Sequence, residues 1–264
     1  MLEYYDYLPD NNLETKYFNE IIEHLDIDIA VVAKNFGDTV PKVDREKIML
    51  INADEAYRIP EEVNDPSVKL IFKQYCYKNQ HPKLRPIPLC PSKEFIVTEK
   101  PILERKFDIS FVGQIAVTRS GFYREVPEFL MDSSVNSFFG FYEGFNRGLD
   151  CSMYSNILCD TKIAVCPHGA GSPESFRFFE ACAASCIILT VEQPENWVYQ
   201  NAPYVKFKSN NFPHTYPIAK ELLSNPDRLV SISDATKLYY NEQISAEAVS
   251  KYIKGELYEC GSNR

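Results

Sequence analysis

Between Lys162 and Thr190 the sequence reads KIAVCPHGAGSPESFRFFEACAASCIILT, and this segment holds the residues best suited to gripping an anion. An apolar run ends at Cys166, and a turn with Gly169 and Gly171 follows. Ser172 then makes a good N-cap and Pro173 a good first helical residue. A helix that starts just beyond a strand offers free N–H groups and a positive dipole end. Glycines let the backbone come close to what is bound there. Phe176, Phe179 and Ala183 carry core spacing, whereas Arg177 and Glu180 stand three apart on another face. Arg177 can pair with phosphate oxygens as a planar fork, and Glu180 can accept hydrogen bonds from a vicinal diol. The same two residues also read as an ordinary i, i+3 surface ion pair. His168, inside the turn, can donate to a phosphate or a sugar, or is a turn residue tolerated there.

A second kind of chemistry needs a base. Asp54 and Glu55 follow the predicted strand Ile48–Asn52 and are the candidates to take a proton from a hydroxyl; they also read as a solvated acidic loop. Asp26-Ile27-Asp28 has the DxD form that can hold a metal, but it stands at the entry of a strand rather than its exit. The histidines, at 24, 81, 168 and 214, show no metal-ligand spacing, so no metal site and no cofactor are expected. There is no GxSxG elbow, and the glycine turn lacks the lysine of a phosphate-binding P-loop.

The elements that must position these residues follow from periodicity. A helix is predicted over Leu13–Leu25, and strands over Ile27–Ala33, Ile48–Asn52, Val68–Phe72 and Arg85–Leu89. Further on come strands at Phe107–Val112, Val135–Phe141, Lys162–Cys166, Ile187–Val191 and Tyr204–Phe207. Helical patterns cover Phe122–Met131, Ser152–Cys159, Pro173–Ala184, Pro217–Leu223 and Asp234–Ile253. Nearly unbroken apolar strands that alternate with helices imply parallel sheets covered on both faces. The charged, proline-bearing stretch Pro91–Lys106 reads as a linker. The expected organisation is an N-terminal lobe (1–92), a linker (93–106), a second lobe (107–242) and a C-terminal helix and tail (243–264).

Composition narrows the partners. The net charge is −9, which repels nucleic-acid phosphates and excludes a nucleic-acid partner from the expectation. Eight cysteines form no CxxC pair, and Cys166, Cys182 and Cys186 sit in apolar surroundings as small buried hydrophobes. The segment Met1–Asp10 is acidic and aromatic, unlike a signal peptide, and no apolar run approaches the ~20 residues of a membrane span. The expected compartment is the cytoplasm, with peripheral membrane contact open. Tyr4, Tyr5, Tyr7, Phe138, Phe139, Phe141, Tyr142 and Phe145 can stack on sugars or a lipid-linked acceptor, or pack in cores.

The segment Pro167-His168-Gly169, Ser175-Phe176-Arg177, Glu180-Ala181 and Cys186-Ile187-Ile188 resembles the nucleotide-sugar region of GT-B glycosyltransferases, in particular the exostosin-like group. FDISFVGQ (Phe107–Gln114) with Arg119 and Arg124 is similar to the group's strand, glycine and helix-opening arginine. Ala53-Asp54-Glu55, Phe72–Tyr75 and Pro86–Leu89 are similar to the end of its acceptor-side lobe. The resemblance implies two Rossmann-like lobes with parallel sheets and a cleft between them, the first lobe reduced. It implies transfer from a nucleotide-sugar, by default a UDP-sugar with a CMP-sugar as rival, to a glycan or glycolipid. Donor binding would fall to Gly113, Arg119, Arg124, His168, Gly169, Ser172, Ser175, Arg177 and Glu180. Catalysis would fall to Asp54, Glu55 and Arg177, without metal. The Glu–x7–Glu spacing of many retaining members is absent, since Glu174 and Glu180 are six apart, so inversion is expected. Two other readings stay open: a catalytically inactive sugar- or nucleotide-binding module or partner subunit, and a sugar-nucleotide epimerase on the same lobes.

Overall fold

Short runs such as KIMLIN, VKLIFK, KIAVC and IILT are too apolar for a surface and too short for helices, and each becomes a strand buried on both faces. The computed structural model describes every residue except 1, 10, 11, 13, 92, 93, 145, 146, 208–213, 263 and 264. Leu13, Phe145 and the expected boundary at 92–93 therefore lie outside the described residues. The chain divides into two compact units. The first comprises Met1–Lys93, Pro194–Gln200 and Asn241–Arg264; the second comprises Glu94–Gln193 and Asn201–Tyr240.

The first unit is built on five parallel strands in the order β1 (Tyr4–Asp6), β2 (Ala30–Asn35), β3 (Lys47–Asn52), β4 (Val68–Lys73) and β5 (Leu84–Pro86). Strand β1 falls in the stretch read only as acidic and aromatic. One face, with Val31, Ala33, Ile48, Leu50, Leu70 and Phe72, packs on helices α1 (Thr15–Glu23) and α7 (Ala246–Ser262) through Phe18, Ile21, Val249 and Ile253. Burying each such side chain stabilises by about 1.5–3 kcal/mol. The other face, with Tyr5, Ala30, Val32, Met49 and Ile51, is covered by Val43, Cys76, Tyr7, Phe36 and Val63, the last in a short 3-10 turn over Glu61–Asn64. Both faces of the sheet are thus covered, as expected, and among the described residues the α-helices lie on the first of them.

The second unit holds β6 (Phe107–Gln114), β7 (Ser137–Tyr142), β8 (Thr161–Cys166), β9 (Ile187–Thr190) and β10 (Val205–Lys206), all parallel, in the order β10-β9-β8-β6-β7. Its helices are α2 (Ser120–Met131), α3 (Cys151–Cys159), α4 (Phe176–Ala183), α5 (Thr215–Leu223) and α6 (Pro226–Tyr239). Asp150 caps α3 by accepting from the Met153 amide at 2.8 Å, and Asn225 caps α6 with Pro226 at its first turn. Phe139 and Phe141 pack against the core around Phe111, Phe122 and Phe129. Residues 94–106, expected as a linker, belong to this unit, and Ile102 sits in its core. The single helical pattern Asp234–Ile253 is interrupted: α6 ends at Tyr239, a π-helical turn spans Tyr240–Ile244, and α7 follows in the other unit. Cys166, Cys182 and Cys186 are buried free thiols, as expected, and burial pushes all three well above the ordinary thiol value.

Candidate functional site

In the second sheet the chain steps from β6 outward to β7, then returns to the other flank of β6 with β8. The strand order therefore reverses between β6 and β8. In open parallel sheets, ligands bind beyond the carboxyl ends of the strands at such a reversal, because the two departing loops diverge and leave a crevice. The loops here are the one after Gln114 and the one that runs from Pro167 to Ser175. They hold most of the residues singled out for anion binding.

Arg119 joins the two loops. It is buried, its Nε donates to the His168 carbonyl at 2.8 Å, and its Nη1 donates to the Gln114 carbonyl at 2.5 Å. Thr118 Oγ1 adds a bond to the Gly169 carbonyl at 3.2 Å. Arg177 bends back from α4 onto the end of β6. Its Nε donates to the Val112 carbonyl at 2.9 Å, and its guanidinium lies 4.6 Å from the centre of the Phe111 ring. Arg119 approaches the same ring at 6.0 Å, so two cations gather about one aromatic ring. Nη1 of Arg177 is buried and has no hydrogen-bond partner among the described residues. A buried donor left unpaired costs about 1–3 kcal/mol, and such groups call for a ligand or a functional reason.

The glycines are explained by these contacts. A β-carbon at Gly113 would overlap Nη2 of Arg177. One at Gly169 would overlap the Glu174 carbonyl and stand 2.9 Å from that of Ser172. The loop 167–174 is folded back on itself this tightly, and that corrects one expectation. Helix α4 starts at Phe176, three residues after Pro173. Ser175 is its N-cap, without a side-chain cap bond, while Ser172 is buried and its hydroxyl donates to the Glu174 carbonyl at 3.2 Å. Phe176 is half-buried rather than core; Phe179 and Ala183 are buried as expected.

Glu180 is buried, and its Oε2 accepts from the Tyr154 hydroxyl at 2.6 Å. The Tyr154 hydroxyl is raised well above its ordinary value by burial first and the Glu180 charge second, with Arg177 pulling the other way. Tyr154 thus holds Glu180 near Arg177; nothing in its spacing marked it beforehand. Phe111 was equally unmarked, one core aromatic among many. His168 is half-buried, with Nδ1 3.2 Å from the Gly169 carbonyl. Arg124 stands apart, exposed in the second turn of α2.

In the first unit, the exits of β3 and β4 carry a separate polar cluster. Asp54 was expected as a base, but its side chain is fully buried. It accepts from Arg58 Nε and the Arg58 amide at 2.7 Å each, and pairs with buried Lys73 at 3.2 Å. Both its oxygens are thus engaged by Arg58 and Lys73. Glu55 is half-buried. Beside them, Glu14 is buried and bound by Asn52 Nδ2 at 2.9 Å, by Gln74 Nε2 and by Cys90 Sγ at 3.8 Å. Burial pushes its carboxyl up to about 7, against the pull of those three donors. Glu14 gave no sequence signal, since its partners are 38, 60 and 76 residues away. Asp26 and Asp28 are exposed and precede β2, at its amino end. No helix is long and apolar enough to cross a membrane among the described residues.

No family model matches the chain, and no curated protein matches its sequence. Solved structures do. A sucrose-phosphate synthase from Thermosynechococcus elongatus superposes with a TM-score of 0.52 at 9% identity, covering 87% of this chain and 73% of its own. An alpha-glucosyltransferase in complex with UDP and a 13-mer DNA containing a HMU base gives 0.51 at 9%, covering 93% and 84%. WaaG, a glycosyltransferase involved in lipopolysaccharide biosynthesis, gives 0.50 at 10%, covering 96% and 98%. With its two parallel α/β sheets, the chain has the GT-B fold of these glycosyltransferases.

Proposed function

We propose that the chain is a glycosyltransferase that moves a sugar from a nucleotide-sugar donor to a glycan or glycolipid, with inversion and without a metal. The observation that carries this is the arginine pair about Phe111 at the β6–β8 reversal, with Nη1 of Arg177 buried and without a hydrogen-bond partner among the described residues. A donor diphosphate supplies the missing acceptor. As the glycosidic C–O bond breaks, its electron pair passes to the diphosphate, and a fixed guanidinium meets that charge more strongly in the transition state than before it. Glu180, oriented by Tyr154, accepts from the ribose hydroxyls. The acceptor hydroxyl attacks the anomeric carbon and gives its proton to a base, for which Glu55 is the candidate. A UDP-sugar is the first donor to try, because a protein of this fold was solved with UDP. The net charge of −9 favours a glycan over a nucleic acid as acceptor. The exostosin-like resemblance of Pro167–Glu180 is the narrower form of the same reading.

Calorimetric titration with UDP, GDP, CMP and dTDP tests the site. Arg177→Ala should leave the fold intact and cut kcat/KM at least about a hundredfold, near 2.7 kcal/mol. Activity should survive EDTA. A folded Arg177→Ala protein that binds nucleotide and turns over as the wild type does would remove the assignment. With both oxygens of Asp54 engaged by Arg58 and Lys73, a second reading is an inactive nucleotide-sugar-binding module. It is distinguished by tight nucleotide binding with no release of nucleotide from any donor; donor turnover without acceptor would mark an epimerase.

A further inference from the structure

The cluster around Asp54 has a shape of its own. Arg58 has a side chain 65% exposed, yet it is held on three sides. Asp54 takes its Nε and its amide, and the guanidinium lies 4.6 Å from the centre of the Phe36 ring. Asp54 is fixed in turn by Lys73, whose Nζ donates to the Gln74 and Tyr75 carbonyls at 3.1 and 3.0 Å and lies 5.3 Å from the same ring. An exposed arginine normally spends its rotamer freedom in solvent. Here that freedom is already lost, and the two terminal nitrogens have no partner among the described residues. The three charges sum to +1 on a chain of net −9, with Glu55 the next carboxylate along.

A flat apolar surface adjoins it. Tyr57, the next residue before Arg58, stacks on Tyr77 at 4.3 Å and 15°, and Tyr75 meets Tyr57 edge-on at 6.0 Å. Tyr77 itself is 49% exposed. Gln80 ties the two loops together: its amide donates to the Tyr57 carbonyl, and its oxygen accepts from the Tyr77 amide at 3.3 Å. Ala53, Asp54, Tyr57, Tyr75 and Asn79 all adopt left-handed φ, between 50° and 75°. Such values are disfavoured for residues with a β-carbon and persist where surrounding contacts enforce them, commonly at functional sites.

We infer that Arg58 and Tyr77 form an acceptor subsite that selects a sugar bearing an anionic group, a phosphate or a carboxylate, with the ring on Tyr77 and the anion on the Arg58 fork. This rests on the transferase reading for its role, though the binding can be measured alone. The intact chain is titrated by NMR with methyl glucoside, glucuronate, glucose 6-phosphate and inorganic phosphate, as wild type, Arg58→Ala, Arg58→Lys and Tyr77→Ala. The anionic sugars should bind at least about tenfold tighter than methyl glucoside, as charge-assisted hydrogen bonds imply. Arg58→Ala should abolish that preference, and Arg58→Lys should keep part of it. Tyr77→Ala should weaken the sugars but not inorganic phosphate. Equal binding of neutral and anionic sugars, no binding of either, or a preference unchanged in both Arg58 variants would overturn the subsite. So would inorganic phosphate binding as tightly as glucose 6-phosphate, or Arg58-dependent binding seen only on phosphatidylglycerol vesicles. UDP titrated in the same samples separates the two ideas: no UDP binding with the Arg58 preference intact would sink the transferase reading alone.

Discussion

Replacing Glu14 by glutamine should change how stability depends on pH, and the size of the change follows from its surroundings. In the folded protein burial raises the carboxyl from 4.5, the ordinary glutamate value, to about 7. The native state therefore holds a proton there that the unfolded chain releases between those limits. Stability from this group is fully present below about pH 4.5 and is lost as pH rises through 7. At about 1.4 kcal/mol per pH unit, the loss is on the order of 3 kcal/mol. The glutamine variant is neutral throughout and nearly the same shape, so Asn52 and Gln74 can turn their amides to meet it. Urea unfolding of wild type and Glu14→Gln should agree near pH 4 and separate steadily up to pH 8, with the variant the more stable at the alkaline end. Other titrating groups cancel in the difference. Two curves that stay parallel from pH 4 to pH 8 would show that Glu14 is ionised in the native state and that the three donors, not burial, decide its charge.

Three further outcomes follow from the second unit. Gly113→Ala puts a methyl group where Nη2 of Arg177 lies, so the guanidinium must move while the fold remains. UDP affinity should fall about tenfold, ~1.4 kcal/mol, and Gly113→Ala added to Arg177→Ala should cost little more by calorimetry. Gly169→Ala drives a methyl into two backbone carbonyls, which cannot yield as a side chain can. A stability loss of about 1–3 kcal/mol is expected in thermal melts. Arg119→Met keeps the length but strands the His168 and Gln114 carbonyls. It should cost about 1.5–3 kcal/mol per bond and make the 114–119 and 167–171 loops exchange amide hydrogens faster.

The strands were legible because buried parallel strands advertise themselves as short apolar runs, and nine of the ten lie within or across the predicted ones. Strand β1 is three residues, Tyr-Tyr-Asp, and is a strand only because it pairs with Ala30–Asn35; nothing local says so. The start of α4 was misread for a physical reason. Ser172-Pro173 is good local cap chemistry, but the Glu174 carbonyl packs over Gly169 and holds the chain out of the helix until Ser175. Arg177 and Gly169 stand out in the sequence because the glycine turn and the arginine are near each other. Their settings do not, since Phe111, Val112 and Tyr154 reach them from other elements. The partners of Asp54 were not legible either, since Lys73 reaches it from another strand.

The helix α7 has a consequence for how the protein is made. Its residues Val249 and Ile253 complete the core over Val31, Leu50, Leu70 and Phe72, yet they are translated more than 150 residues after the first unit's last strand. At roughly 5–20 residues per second, that face of the sheet waits about 10–30 s for its cover. The segments of the second unit, 94–193 and 201–240, are complete before α7 emerges. The first unit's sheet should therefore be completed last, and a released chain truncated after residue 245 should present a folded second unit together with a sheet that lacks the cover of Val249 and Ile253.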